Sequence, residues 1–120
     1  MKKILIVEDE TALRDVYKTL FTLEKFEVHD AVNGKEAIKL LKSVRPDVIL
    51  LDILMPVMGG LEFMEKADVK TTSPKTKILV LSNLSDPKTL NNITDLGADK
   101  YLLKSSASPA ELVSAVRSLL

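Results

Sequence analysis

The chain has 120 residues, 46% hydrophobic and 28% charged, which is the balance of a packed globular domain rather than a disordered segment. Lysine plus arginine number 17 and aspartate plus glutamate 17, so no overall field draws the chain to a nucleic-acid backbone or an anionic membrane. Cysteine is absent, which excludes disulfides, thiolate metal sites and thiol nucleophiles, and no apolar run approaches the roughly 20 residues that cross a bilayer.

The length predicts one domain over residues 1–120, and the lack of disulfide or signal-peptide character predicts a cytoplasmic location. The first element is the run Ile4 to Val7, apolar throughout and followed at once by Glu8 and Asp9. Leu13, Val16, Tyr17 and Leu20 then recur at helical spacing. Glu27 to Ala31 is a more polar strand candidate that suits an edge, so His29 within it reads as a surface residue. Asn33 with Glu36 three residues later predicts the start of a second helix, carried by Ala37, Ile38, Leu40 and Leu41 and closed before Pro46.

Val48 to Leu51 is again apolar throughout, the pattern of a strand buried on both faces, and ends at Asp52. Leu54 to Gly60, with a proline and paired glycines, suits a fixed loop whose backbone comes close to a ligand. Met55, Met58 and Met64 are assigned to packing or to the loop. A weaker helix is predicted from Gly60 to Lys70, irregular near Asp68 and Val69, with Thr71 to Thr76 as a loop. Ile78 to Leu81 is the fourth strand, ending in Ser82 and Asn83; Asp86 and Pro87 open another helix, which Gly97 closes. Asp99 to Leu103 is the fifth strand, ending at Lys104, and Ser108, Pro109, Ala110 and Glu111 open the last helix.

Strand and helix thus alternate five times, which predicts a doubly wound α/β fold with a five-stranded parallel sheet covered on both faces, (βα)5. In such sheets function gathers beyond the carboxyl ends of the strands, where this sequence places Glu8, Asp9, Asp52, Ser82, Asn83 and Lys104. Two like charges about 4 Å apart repel by on the order of 4 kcal/mol at an effective dielectric of about 20. Three carboxylates on one rim therefore require positive charge among them. A hard divalent cation meets that need, with Mg2+ favoured because it binds a few carboxylates, keeps waters and accepts phosphate oxygens as further ligands, and Mn2+ as an alternative; a backbone carbonyl near Leu54 can complete the set. Asp52 can then act as a nucleophile toward phosphorus, with Lys104 and the metal neutralising the transferring group and Ser82 offering a hydroxyl.

Glu8 and Asp9 after the first strand, Asp52 in LLDILMPVMGG, Ser82 in ILVLSN, and GADKYLLK ending at Lys104 resemble, in order and spacing, the receiver domain of two-component response regulators. The resemblance covers essentially the whole chain. It implies a chemotaxis-regulator-like, flavodoxin-like strand order 2-1-3-4-5 and a regulatory phosphoacceptor rather than a turnover enzyme, with slow autodephosphorylation. It further implies that Asp52 accepts phosphate from a sensor histidine kinase or histidine phosphotransfer protein. Asp9, Asp52 and the Leu54 carbonyl would bind the metal, Glu8 would act mainly through water, and Lys104 would hold the phosphoryl group. Ser82, Asn83 and Tyr101 belong to the implied switch, in which Tyr101 moves inward and the surface of the fourth helix, fifth strand and fifth helix changes. That surface would serve an output domain, a partner or a homodimer. The sequence departs from the family pattern in three places: Ser105 and Ser106 follow Lys104 where proline usually comes next, Gly59 stands where an acid is frequent, and Leu84 lies two residues after Ser82, where phosphate lifetime is often tuned.

Other functions fit less well. Glu8 and Asp9 as simple helix caps, or Lys104 as a solvated charge, leave their convergence with Asp52 unexplained. A haloacid-dehalogenase-type phosphatase needs a second acid where Leu54 stands, together with a cap domain. A flavodoxin-like carrier needs glycine, serine and threonine donors where Glu8 to Thr11 is acidic. The full acidic, hydroxyl and lysine set also argues against a receiver that is never phosphorylated.

Overall fold

The computed structural model describes residues 1–83 and 86–120. Its strands are β1 (Lys3–Val7), β2 (Glu27–Ala31), β3 (Val48–Leu51), β4 (Lys77–Ser82) and β5 (Lys100–Leu103). The helices are α1 (Thr11–Leu23), α2 (Gly34–Val44), α3 (Gly60–Ala67), α4 (Val69–Thr72), α5 (Pro87–Asp95) and α6 (Pro109–Ser118). All strand pairs are parallel and the order is β2-β1-β3-β4-β5, as the alternation and the resemblance together predict.

The two-residue period of the strands decides which helices cover which face. Leu5 and Val7, Ile49 and Leu51, and Ile78 and Val80 point to one side, where they meet Ala37 and Leu41 of α2, Phe63 and Met64 of α3, and Ile93 of α5. Their neighbours Ile4, Ile6, Val48, Leu50, Leu79 and Leu81 point to the other, against Tyr17 and Phe21 of α1 and Leu112, Ala115 and Val116 of α6. Burial of each large aliphatic side chain contributes about 1.5–3 kcal/mol, which is why the three central strands carry no polar residue in their cores. β2 and β5 lie at the edges and are only partly buried, in keeping with their polar composition.

The caps form where the sequence places them. Asn33 accepts from the Glu36 amide at 2.9 Å, Asp86 accepts from the Thr89 amide at 3.0 Å, and Ser108 and Glu111 make a reciprocal capping box. The segment after Ala67 differs from expectation. Asp68 takes a left-handed conformation (φ 46°) that stops α3, and a one-turn helix, α4, follows, so Thr71 and Thr72 are helical rather than loop. The Thr72 hydroxyl holds this corner by donating to the carbonyls of Ala67 (2.9 Å) and Asp68 (3.1 Å). Because of α4, the predicted fourth and fifth helices are α5 and α6. Asp99 lies outside β5; its side chain accepts from the Ile78 amide at 2.8 Å and pairs with Lys70.

Candidate functional site

The parallel ladders run one step beyond the strands, and this step sets the site. The Glu8 amide donates to the Ala31 carbonyl (3.1 Å), the Asp52 amide to Val7 (3.1 Å) and the Lys104 amide to Ser82 (3.0 Å). Glu8, Asp52, Ser82 and Lys104, widely separated in sequence, are thereby fixed side by side at the carboxyl edge. One carboxylate oxygen from each of Glu8, Asp9 and Asp52 lies within 4.8 Å of the other two. Glu8 and Asp52 are buried, whereas Asp9 is open to solvent.

Lys104 reaches into this cluster. Its ammonium donates to both oxygens of Glu8 (3.2 and 3.0 Å) and to Asp52 Oδ2 (3.2 Å). Burial raises the Glu8 pKa above the ordinary carboxylate value; the Lys104 bond works against that rise and the Asp52 charge adds to it. For Lys104, burial acts downward, but the hydrogen bond to Glu8 and the charges of Asp52 and Glu8 outweigh it, and the pKa is raised. The lysine is therefore held as a cation. Glu8 thus has a direct ionic partner, besides the water-mediated role that the resemblance implies. One ammonium among three carboxylates leaves a net deficit of positive charge on hard oxygen donors, a set that fits a divalent cation such as Mg2+.

Two residues that the sequence reading passed over support the cluster. Arg14, in the first turn of α1, donates to the Glu8 carbonyl (2.9 Å) and the Asp9 carbonyl (3.5 Å) and pairs with Asp30 at 3.1 Å, pinning the acidic loop. A cation at a helix N-terminus opposes the helix dipole, and that misfit was the available signal. Tyr17, buried under the site, has its pKa raised first by burial and feels the charges of Lys104, Glu8 and Asp52.

The paired glycines allow two backbone segments to come close together. A Cβ on Gly60 would run into the Asp52 carbonyl oxygen and lie 2.9 Å from Ile53 Cα, while one on Gly59 would meet the Ile53 carbonyl at 2.9 Å. The glycines let α3 approach the backbone that carries Asp52. The Leu54 side chain is exposed. Met64 is core, and Met55 and Met58 pack partly against it, as assigned. His29 pairs with Glu27 on the edge strand, far along the ladder from the acids.

On the other flank, Ser82 is buried, and its carbonyl accepts both the Lys104 amide and, at 3.1 Å, the Tyr101 hydroxyl. Tyr101 is half-buried against the α2, α3 and α5 layer, and burial raises its pKa, with Asp86 adding to the effect. Asn83 is exposed, and its side-chain oxygen accepts from the Ser105 amide at 2.8 Å. Leu84 lies outside the described residues. A groove of about 810 Å3 between the ends of α2 and α3, lined by Leu41, Arg45, Pro46, Ala67 and Thr76, is at the opposite end of the sheet from these groups.

Comparison with known proteins agrees with this geometry. Residues 4–117 match the response regulator receiver domain family. The chain belongs to that family. Among curated relatives, the transcriptional regulatory protein YdfI of Bacillus subtilis is 36% identical over 110 residues, covering 90% of this chain and 50% of its own. The probable transcriptional regulator ycf27 of Cyanophora paradoxa is 34% identical over 119 residues, covering 99% of this chain and 48% of its own. The receiver chain thus spans about half or less of the curated relatives it matches. Among solved structures, chemotaxis protein CheY4 of Vibrio cholerae superposes with a TM-score of 0.92 at 30% identity, covering 100% of this chain and 99% of that one. The response regulator TrrA of Thermotoga maritima, solved in complex with Mg(2+)-BeF, gives 0.86 at 34% identity with full coverage of both chains. The chain is therefore a regulatory receiver domain of the two-component type. Among the described residues no helix is long and apolar enough to cross a membrane.

Proposed function

We propose that Asp52 is the phosphoacceptor of a magnesium-dependent signalling switch contained in a single receiver domain over residues 1–120. The observation that carries this reading is the juxtaposition of one carboxylate oxygen each from Glu8, Asp9 and Asp52 within 4.8 Å of one another, with the Lys104 ammonium bridging Glu8 and Asp52. The Asp52 carboxylate attacks phosphorus of a phosphohistidine on a sensor kinase or phosphotransfer protein; an O–P bond forms, the P–N bond breaks, and the bonding pair returns to the ring, which leaves as neutral imidazole with the proton already on its other nitrogen. Lys104 neutralises the phosphoryl oxygens, and Ser82 donates its hydroxyl to one of them. Asp9, Asp52 and the Leu54 carbonyl would hold Mg2+ or Mn2+, with Glu8 acting through water, and a bound ion would supply positive charge against the repulsion between phosphoryl donor and carboxylate. Water slowly hydrolyses the acyl phosphate, and no other turnover is assigned.

The displacement of Ser82 is passed to Tyr101 through the shared carbonyl and so to the face formed by α5, β5 and α6. That face meets an output domain, a separate target or a second copy. The transcriptional regulators among its relatives favour an output on DNA, made by a part of the protein outside this domain. The reaction belongs in the cytoplasm, where histidine kinases deliver phosphate. Incubation with a small phosphodonor and Mg2+ is expected to add one phosphate, with none in Asp52→Asn and none after chelation of the metal. A phosphate retained by the Asp52→Asn protein would overturn the assignment.

A further inference from the structure

The departure from the family pattern after Lys104 has a structural counterpart. Ser105, where proline is usual, uses its main-chain N–H to donate to Asn83 Oδ1 at 2.8 Å. Proline has no N–H and cannot make this bond. Among the described residues the Ser105 hydroxyl has no hydrogen-bond partner, and the bond to Asn83 is made by the backbone. The bond ties the loop after β4 to the loop after β5, next to the Lys104 amide bond to the Ser82 carbonyl. Lys104 is the residue between these two ties, and its ammonium is what bridges Glu8 and Asp52.

We propose that Asn83 is a positioning residue: with the Ser105 amide it forms a latch that holds the Lys104 ammonium over Asp52. The inference rests on the phosphoacceptor reading above and deepens it. Proline would fix the backbone after Lys104 covalently and would also restrict Lys104 itself. The latch does the same through a bond that can open. Because that bond joins the residue after Ser82 to the residue after Lys104, the two groups assigned to the phosphoryl oxygens are coupled through it.

The test compares Asn83→Ala, Ser105→Ala, Ser105→Pro and the Asn83→Ala, Ser105→Pro double variant. Each is measured for amide exchange at position 105 where an amide exists, Mg2+ affinity, and the rate of phosphate uptake from acetyl phosphate. Asn83→Ala is expected to speed exchange at the Ser105 amide and to slow uptake about threefold to tenfold, the rate equivalent of one net hydrogen bond, without weakening Mg2+ binding. Ser105→Ala keeps the N–H and is expected to stay within about twofold of the parent, well inside the effect of one lost hydrogen bond. In the Ser105→Pro background, Asn83→Ala is expected to add nothing. The latch is refuted if Asn83→Ala leaves either exchange or uptake unchanged, if Mg2+ affinity falls in step with the rate, or if Ser105→Ala loses as much as Asn83→Ala. If the parent protein takes up no phosphate, the phosphoacceptor reading fails; a slow-exchanging Ser105 amide that Asn83→Ala releases would still establish the bond, and an unprotected one would refute it.

Discussion

Replacing Lys104 by methionine tests the charge balance of the site directly. At an effective dielectric of about 20, the Glu8 and Asp52 carboxylates, 4.8 Å apart or less, repel by about 3.5 kcal/mol. Lys104, at 3.0 and 3.2 Å, attracts each by about 5 kcal/mol on the same scale. Most of that attraction is offset by the hydration the ammonium gives up, and removal of one partner from a buried pair typically costs about 3–5 kcal/mol. Water reaches the cluster from the Asp9 side, so a net loss of about 2–4 kcal/mol is expected for the metal-free protein. Magnesium should recover much of it. In the variant no ammonium competes for Asp52, and a tenfold gain in Mg2+ affinity would add about 1.4 kcal/mol of metal-dependent stabilisation. Urea unfolding at pH 7, with chelator and with saturating Mg2+, measures all four stabilities. Equal stability of parent and variant in chelator, or equal increments from Mg2+, would refute the reasoning.

Two further predictions follow from the same structure. Gly60→Ala places a Cβ against the Asp52 carbonyl oxygen and Ile53 Cα, neither of which is a flexible side-chain end, so a loss of about 1–3 kcal/mol in urea unfolding is expected together with slower phosphate uptake. Asp86 has its pKa lowered by the hydrogen bonds it accepts from the Thr89 amide and hydroxyl, so its contribution is fully present above the unfolded value near 3.8 and is lost as pH falls through the lower folded value. Asp86→Asn keeps a capping oxygen without a titrating group, and the acid limb of the stability curve, followed by circular dichroism, should become shallower below that pH.

The sheet was legible because each central strand is apolar on both faces, and a segment of this kind has few alternatives to the middle of a parallel sheet. The site was legible for a related reason. Glu8, Asp52 and Lys104 each stand at the first position after an apolar run, and the ladder carries one hydrogen bond past that run, so sequence adjacency to the strand became spatial adjacency at the rim. What escaped the sequence depends on contacts between distant backbones. The turn at Asp68 places a non-glycine residue in the left-handed region, held by the Thr72 hydroxyl, and low helix propensity at Thr71 and Thr72 pointed the other way. The reason for Gly60 is invisible without knowing that α3 starts against the Asp52 carbonyl. Arg14 serves carbonyls, which every residue has, so nothing in the identities of Glu8 and Asp9 announces it.

The Ser82 carbonyl shows how a local event at Asp52 can reach the outer face. Its two lone pairs are engaged by the Lys104 amide and the Tyr101 hydroxyl, so one oxygen reports on the loop that carries the site lysine and on an aromatic side chain between the core and the surface. Where a phosphoryl group draws the Ser82 hydroxyl toward Asp52 by moving the backbone as well as χ1, both donors follow or let go. The cost of losing either bond is about 0.5–1.5 kcal/mol, small enough for a phosphoryl contact to outweigh and large enough to bias which position Tyr101 adopts. Tyr101→Phe separates the two ties: it removes the hydroxyl donor while the Lys104 amide bond stays. Phosphate uptake should then proceed at close to the parent rate, because Lys104 remains seated on Glu8 and Asp52, whereas the response of the α5, β5 and α6 face to Mg2+ and a beryllofluoride phosphoryl mimic, read by amide chemical shifts, should shrink. An unchanged response at that face would place the transmission elsewhere than the Ser82 carbonyl.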